Sequence, residues 1–377
     1  MFRCLLNVLV VMQLIRLAVT ELVKYPFRVK EISRSELEKP EDPGFQDYFI
    51  SKGVQGEHKT HVSANYNYSQ LVPYVRRMDM LIENCHFRDE NTCMFVKREY
   101  VTGLPNDKHF VILIHNDASH RHYFEKNVLP FFEKRYENSN GTAGVKLHLG
   151  GHSDRSCGED SYQIYKRSKC IVRLFMFNSN TEGISNSTIE KVKVIPQGIA
   201  MRTIGSGEGM NGDLLRRMMQ EAAAADSSAG WGKRKDRLLI CFFNDYANRA
   251  VLKAELAKNC AICDFCYDKA DPVSTEKAIP VDRLWTLFTQ YKFILSPLGL
   301  GLECGRTWEI MLLGAIPVMV YSPVVHGYLH HNMPVISFKN SSELTETSLA
   351  LWVGAYSKPI DKTFMRLSYF LSVMELA

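Results

Sequence analysis

Short apolar runs recur along the chain and are separated by polar turns or by stretches with helical spacing. FVILIH (residues 110–115) is β-branched and apolar, and it ends in the polar turn NDASH, the pattern of a buried strand feeding a loop. KLHLG, IVRLFMF and VKVIP repeat that texture as far as Gly198, so one α/β unit is expected there, with a helix-like stretch ahead of it over residues 74–83. A second unit is clearer. LLICFF (238–243), KFILS and AIPVMV predict strands, and YANRAVLKAELAK, DRLWTLFTQY and ECGRTWEIMLLG between or beside them predict helices. Apolar strands alternating with amphipathic helices predict a parallel sheet covered on both faces, hence an α/β, doubly wound, Rossmann-like fold. Such sheets bind ligands at the carboxyl ends of their strands.

The chain has 377 residues, more than one continuous hydrophobic core usually serves, so two domains with a cleft between them are expected. The stretch GDLLRRMMQEAAAADSSAG reads as a helix decaying into small residues and marks the boundary. The expected division is a signal peptide or signal anchor at 1–20, a stem or linker at 21–65, an N-terminal α/β domain at 66–211, an interdomain helix and linker at 212–235, a C-terminal α/β domain at 236–355 and a closing helix at 356–377. That last segment is either a helix packed back across the domains or a surface helix. Residues 4–19 are mainly apolar, with Arg3 before them and Lys24, Arg28 and Lys30 after, which fits a targeting segment. Asn7, Gln13 and Arg16 interrupt it, and it is shorter than the roughly 20 residues a bilayer core needs, so an amphipathic helix is the alternative. Sequons at Asn67, Asn140, Asn186 and Asn340 suit a lumenal chain.

Composition narrows the class of partner. With 46% hydrophobic and 23% charged residues, the chain is neither disordered nor a polytopic membrane protein. Its net charge of +5 is small and no Lys/Arg block is interleaved with aromatics, so no nucleic-acid partner is expected, while an anionic small substrate is compatible. Ten cysteines exceed what a cytosolic enzyme requires. Cys85 and Cys93 are candidates for a staple. Cys260, Cys263 and Cys266 form C-x2-C-x2-C, which fits a disulfide, free thiols or, lacking a nearby fourth ligand, less well a metal.

The most informative window is SPLGLGLECGRTWEIMLLGAIP (296–317). A strand ends at Ser296, Pro297 stops the pairing, and Gly299 and Gly301 allow a tight turn and close backbone approach before a helix. Amides at that helix start point toward an anion. Arg306 and Glu309, three apart, share a face, while Trp308, Met311 and Leu312 are placed toward the sheet. A guanidinium fork matches diphosphate oxygens, and a carboxylate one turn away accepts from two sugar hydroxyls. The alternative is an i,i+3 surface ion pair.

S-P-x-G-x-G followed by R-T-x-E-x-x-x-x-G-x-I-P resembles the carboxyl-terminal half of the exostosin-like glycosyltransferases. The likeness extends to LLICFF with the following Arg249, to SELTETSLALW (342–352) and to FVILIHNDASH, covering about residues 70–355; Leu298 departs from close relatives, and Cys304 holds a position that varies among subfamilies. The resemblance implies a GT-B fold, two Rossmann-like domains facing a central cleft. It also implies transfer from a nucleotide-diphosphate sugar to a glycan or glycoprotein acceptor in the Golgi or endoplasmic reticulum lumen, by a type II single-pass or secreted protein that meets the membrane only through its N-terminal segment. Carried over by position, Arg306 contacts the diphosphate, Glu309 the ribose hydroxyls, and Gly299 and Gly301 form the turn beneath. Arg249 is a second diphosphate contact or else an ordinary surface arginine.

An acceptor hydroxyl needs a base within about 3 Å. His115, Asp117 and His120, with Asn116, follow the FVILIH strand, and Asp117 is the first candidate. HLGGHSD predicts a second polar loop, in which His148, His152 and Asp154 line the cleft or hold a metal. No D-x-D triplet occurs, so no metal and no cofactor are expected on the diphosphate; arginines and helix amides take that role. The absence of G-x-S-x-G, H-E-x-x-H and Walker motifs argues against serine hydrolase, zinc protease and ATPase chemistry. The competing functional readings are a non-catalytic lumenal binding protein of the same fold and a hydrolase built on His148, His152 and Asp154.

Overall fold

In a computed structural model of the chain, the described residues are 29–32, 50–52, 78–86, 89–100, 104–115, 118–150, 165, 167–177, 192–195, 199–200, 220, 222–223, 228–241, 249–266, 279–298, 304–322, 325, 328–329, 331–365 and 367–373. They form an α/β fold with two sheets flanked by helices. The strands of the first half are β1 (Val29–Ile32), β2 (Ile50–Lys52), β3 (Met80–His86), β4 (Asp89–Lys97), β5 (Phe110–His115), β6 (Val145–Gly150), β7 (Ile171–Phe177), β8 (Val192–Ile195) and β9 (Ile199–Ala200). Seven of them form a sheet in the order β1-β4-β3-β5-β6-β7-β8, and β2 pairs with β9 separately. All pairings in the large sheet are parallel except β3 with β4.

Period-two burial explains this sheet. Phe110, Ile112 and Ile114 of β5 and Val145, Leu147 and Leu149 of β6 point to one face. There they meet Phe124, Val128, Leu129 and Phe132 from helix α1 (Ala118–Tyr123), a π-helical turn (Phe124–Val128) and helix α2 (Leu129–Asn138). Val111, Leu113 and Phe175 take the opposite face.

Three expectations are corrected here. Residues 80–83 of the predicted 74–83 helix region belong to strand β3, which runs on to His86: Met80 and Ile82 alternate into the core and pair with Ile112 and Ile114 of β5. The polar run after them is also a strand, β4, which turns back against β3; the side chains of Cys85 and Cys93 on this pair lie outside the described residues. Two pieces of the presumed stem are strands, β1 at the sheet edge and β2 against β9.

After helix α3 (Ser228–Trp231) the second sheet contains β10 (Lys235–Ile240), β11 (Cys263–Phe265), β12 (Tyr291–Leu295), β13 (Ile316–Val320) and β14 (Ile336–Phe338), all parallel, in the order β11-β10-β12-β13-β14. Its helices are α4 (Arg249–Asn259), α5 (Val281–Gln290), α6 (Gly305–Leu312), α7 (Glu346–Ala355) and α8 (Leu367–Val373). Leu238, Ile240, Phe293, Leu295, Ile316 and Val318 bury on one face with Leu256 of α4 and Leu349 of α7. Leu239, Ile294 and Met319 bury on the other with Trp285 of α5, Trp308, Met311 and Leu312 of α6, and Phe370 of α8. Both faces are therefore apolar, as a doubly wound sheet requires. Strand β10 begins three residues before the predicted LLICFF run because its polar start is satisfied at the sheet margin: Lys235 Nζ donates to Tyr291 Oη at 3.1 Å and Arg237 Nε to Asp264 Oδ1 at 3.3 Å.

One buried cluster joins the halves. It contains Val111, Leu113, Phe175 and Ile195 of the first sheet, side chains of β10, β12, α5 and α6, and Phe364, Met365 and Phe370 near the C terminus. Lys193 Nζ of β8 also donates to the carbonyl of Val373 in α8 at 3.5 Å. Described residues near the C terminus thus contact both sheets.

Candidate functional site

The order β11-β10-β12-β13-β14 reverses direction between β10 and β12. At such a switch point the connecting chains leave in opposite directions and open a crevice outside the strand ends. The predicted arginines converge there. Arg249, at the start of the helix that follows β10, donates from Nε to the carbonyl of Leu298 beyond β12 at 2.8 Å. Its Nη2 lies 3.8 Å from Cys304 Sγ. Arg306, on the helix that follows β12, donates from Nη1 to the carbonyl of Cys241 beyond β10 at 2.7 Å. Each guanidinium therefore crosses to the end of the other strand.

Local packing fixes the helix that carries Arg306. Trp308 and Met311 are fully buried and anchor α6 to the sheet. The buried hydroxyls of Ser296 and Thr307 lie 2.8 Å apart and tie the end of β12 to the first turn of α6. Cys304 precedes this helix with extended backbone and no side-chain cap.

Glu309 stands one turn beyond Arg306. Its Oε2 accepts a hydrogen bond from the indole Nε1 of Trp285 at 3.2 Å, and Trp285 is itself 1% exposed. Arg306 and Glu309 form no ion pair with each other; each is anchored on a different partner, which removes the surface-pair alternative. A guanidinium has five N–H groups, and among the described residues only one of those on Arg306 is engaged. Among the same residues Glu309 Oε1 has no partner, Oε2 being the oxygen that accepts from Trp285. Both residues are half-buried. The arrangement offers fixed cationic donors and a carboxylate acceptor on one helix face. Trp285 and Cys241 were not singled out in the sequence; the only available signal for Trp285 was its place on the amphipathic pattern of DRLWTLFTQY.

The other predicted residues are distributed differently. Gly299, Gly301 and Asp117 lie outside the described residues, as do Asn116, His152 and Asp154. His115 closes β5 opposite Gly150 of β6, so its backbone sits at the carboxyl edge of the first sheet. His120 is in α1 rather than on a loop and is 4% exposed. His148 corrects the reading of HLGGHSD: it is inside β6, fully buried, and stacks on Phe175 with ring centroids 4.3 Å apart. It packs in the core and does not line a polar loop.

The cysteine cluster is disulfide-bonded, Cys260 to Cys263 and Cys241 to Cys266. The latter joins the chain just beyond β10 to the chain just beyond β11. Its thiols are therefore not metal ligands, and among the described residues no three His, Cys, Asp or Glu side chains gather as a metal would require. A separate depression of ≈ 450 Å³, lined by His331, Tyr356, Lys358, Phe364 and Tyr369 among others, includes none of the predicted site residues. Among the described residues no helix is long and apolar enough to cross a membrane, and residues 1–28 lie outside them.

No protein-family model and no curated protein matches this chain.

Proposed function

We propose that this protein is a glycosyltransferase of GT-B arrangement that moves a sugar from a nucleotide-diphosphate donor to a glycan or glycoprotein acceptor in the secretory lumen. The observation that carries the reading is the reciprocal crossing of Arg249 and Arg306 at the β10–β12 switch point, with Glu309 held separately on Trp285. In this reading the unused donors of Arg306 bind the diphosphate, with Arg249 beside it, and Glu309 Oε1 accepts from the ribose hydroxyls. As the bond from the sugar to the diphosphate breaks, negative charge grows on the leaving nucleoside diphosphate. Fixed guanidinium groups stabilise that charge more strongly in the transition state than before it, which lowers the barrier. The acceptor hydroxyl passes its proton to a group at the end of β5, Asp117 first, with His115 and His120 as the other candidates. Burial of His148 leaves the rival hydrolase reading without one of its three residues.

The test is calorimetric titration of the full chain with nucleoside diphosphates and their sugars, with and without EDTA. Saturable binding that selects one base and resists EDTA is expected. Glu309→Gln should weaken it at least several-fold. A folded sample that binds no nucleotide, or a Glu309→Gln variant with unchanged affinity, overturns the assignment.

A further inference from the structure

The turn between α2 and β6 contains the sequon Asn140-Gly141-Thr142. Asn140 is exposed and adopts φ +51°, and Gly141 follows at +88°, so the side chain of Asn140 stands at the tip of a left-handed turn. Asparagine is among the few residues that take this conformation readily. The turn is fixed by its backbone: Asn140 N donates to Glu137 O and Thr142 N to Ser139 O, each at 3.2 Å. The Thr142 hydroxyl lies 2.9 Å from the carbonyl oxygens of both Asn106 and Ser139. Among the described residues the Asn140 side-chain amide makes no hydrogen bond.

A second, independent observation bears on the compartment. Two disulfides, Cys241–Cys266 and Cys260–Cys263, mark a chain that folds under oxidising conditions, where sequons are also modified. The position is sterically open as well. Asn140 precedes the amino end of β6, whereas ligands of such sheets sit at the carboxyl ends, about 20 Å away for a six-residue strand. Asn340 differs: it follows β14 directly and so lies at a carboxyl edge.

We propose that Asn140 carries an N-linked glycan at the rim of the first sheet marked by the amino end of β6. The amide Nδ2 forms a bond to the anomeric carbon of a lipid-diphosphate oligosaccharide. The carbon–oxygen bond to the diphosphate breaks, the lipid diphosphate leaves with the bonding electrons, and the Nδ2 proton passes to solvent through the transferring enzyme. The proposal is independent of the glycosyltransferase reading, because failure to bind nucleotides leaves it standing.

The experiment is expression of the full chain in a secretion-competent eukaryotic cell, followed by peptide-N-glycosidase digestion in heavy-oxygen water and mass spectrometry of the residue 140 peptide. Conversion of Asn140 to labelled aspartate is expected. Asn140→Asp tolerates the same turn and should remove one glycosidase-sensitive mobility step while leaving the thermal midpoint of the deglycosylated protein unchanged. An unmodified residue 140 overturns the proposal, including when Asn340 is occupied. The state of the two disulfides in the same digest then tells whether the compartment or the turn was misjudged.

Discussion

The bond from Trp285 to Glu309 makes a quantitative prediction. Trp285→Phe keeps a buried aromatic ring on α5 but deletes the only indole N–H that holds Glu309 Oε2, at 3.2 Å. A hydrogen bond to a charged group contributes about 1.5–3 kcal/mol where water is excluded. Glu309 is only half-buried, so water replaces much of that, and the net falls to about 1 kcal/mol. A freed glutamate regains rotamer entropy that ligand binding must remove again, roughly another 0.5–1 kcal/mol. Nucleotide affinity should therefore fall by about 1–2 kcal/mol, or roughly 5- to 30-fold. Smaller ring volume should reduce stability by about 1–2 kcal/mol, well short of a full truncation to alanine. Isothermal titration of a nucleoside diphosphate measures the first effect and urea unfolding the second. Because both residues act through one contact, Trp285→Phe added to Glu309→Gln should have less than its additive effect. An affinity within twofold of the parent in folded Trp285→Phe protein would refute the positioning role.

Other outcomes follow from the scaffold. Arg234→Met should lower unfolding free energy by about 3–5 kcal/mol, because Arg234 is 4% exposed and donates to the carbonyls of Phe288, Tyr291 and Leu313, which lose their buried donor; a loss under about 1 kcal/mol by denaturant titration would contradict this. Gly144→Ala places a Cβ 2.8 Å from both the Cys170 carbonyl and Val172 Cγ1, so a loss of about 1–3 kcal/mol is expected on the same assay. Burial, then the charge of Lys146, holds the His109 imidazole below its ordinary range, and its Nδ1 accepts from Gly144 N at 2.9 Å. The folded state thus binds fewer protons than the unfolded chain; the contribution is complete above about pH 6.5 and disappears as pH falls through the lowered value. Thermal midpoints measured from about pH 7 down to pH 5 should fall less steeply in His109→Gln than in the parent; equal slopes would remove His109 as the cause.

How much was legible beforehand varied with burial. β12 and β13 were clear in KFILS and AIPVMV because both faces of a central parallel strand are covered, so the apolar run is continuous. Trp308, Met311 and Leu312 were placed toward the sheet, and all three are buried. β3 was mistaken for helix because MLIEN is short and its alternation spans too few residues to separate two periods from one another. β4 was missed because an edge-proximal strand with charged and amide side chains carries little hydrophobic signal. His148 was misplaced by its glycine neighbours, although VKLHLG alternates and puts it mid-strand. At the candidate site, local motifs single out Arg249, Arg306 and Glu309 as candidates. The carbonyls and the indole that hold them belong to Cys241, Leu298 and Trp285, partners up to 65 positions away that no local pattern reveals.

Cys241 has two attachments in one residue: its sulfur is bonded to Cys266, and its carbonyl receives the guanidinium of Arg306. The choice of expression host therefore bears directly on any affinity measured for this protein. In material made in a reducing cytosol, Arg306 is presented on a peptide that the disulfide does not tether. Under the proposed function, nucleotide affinity should be lower in such material than in the oxidised protein and should return when the disulfide is restored before titration.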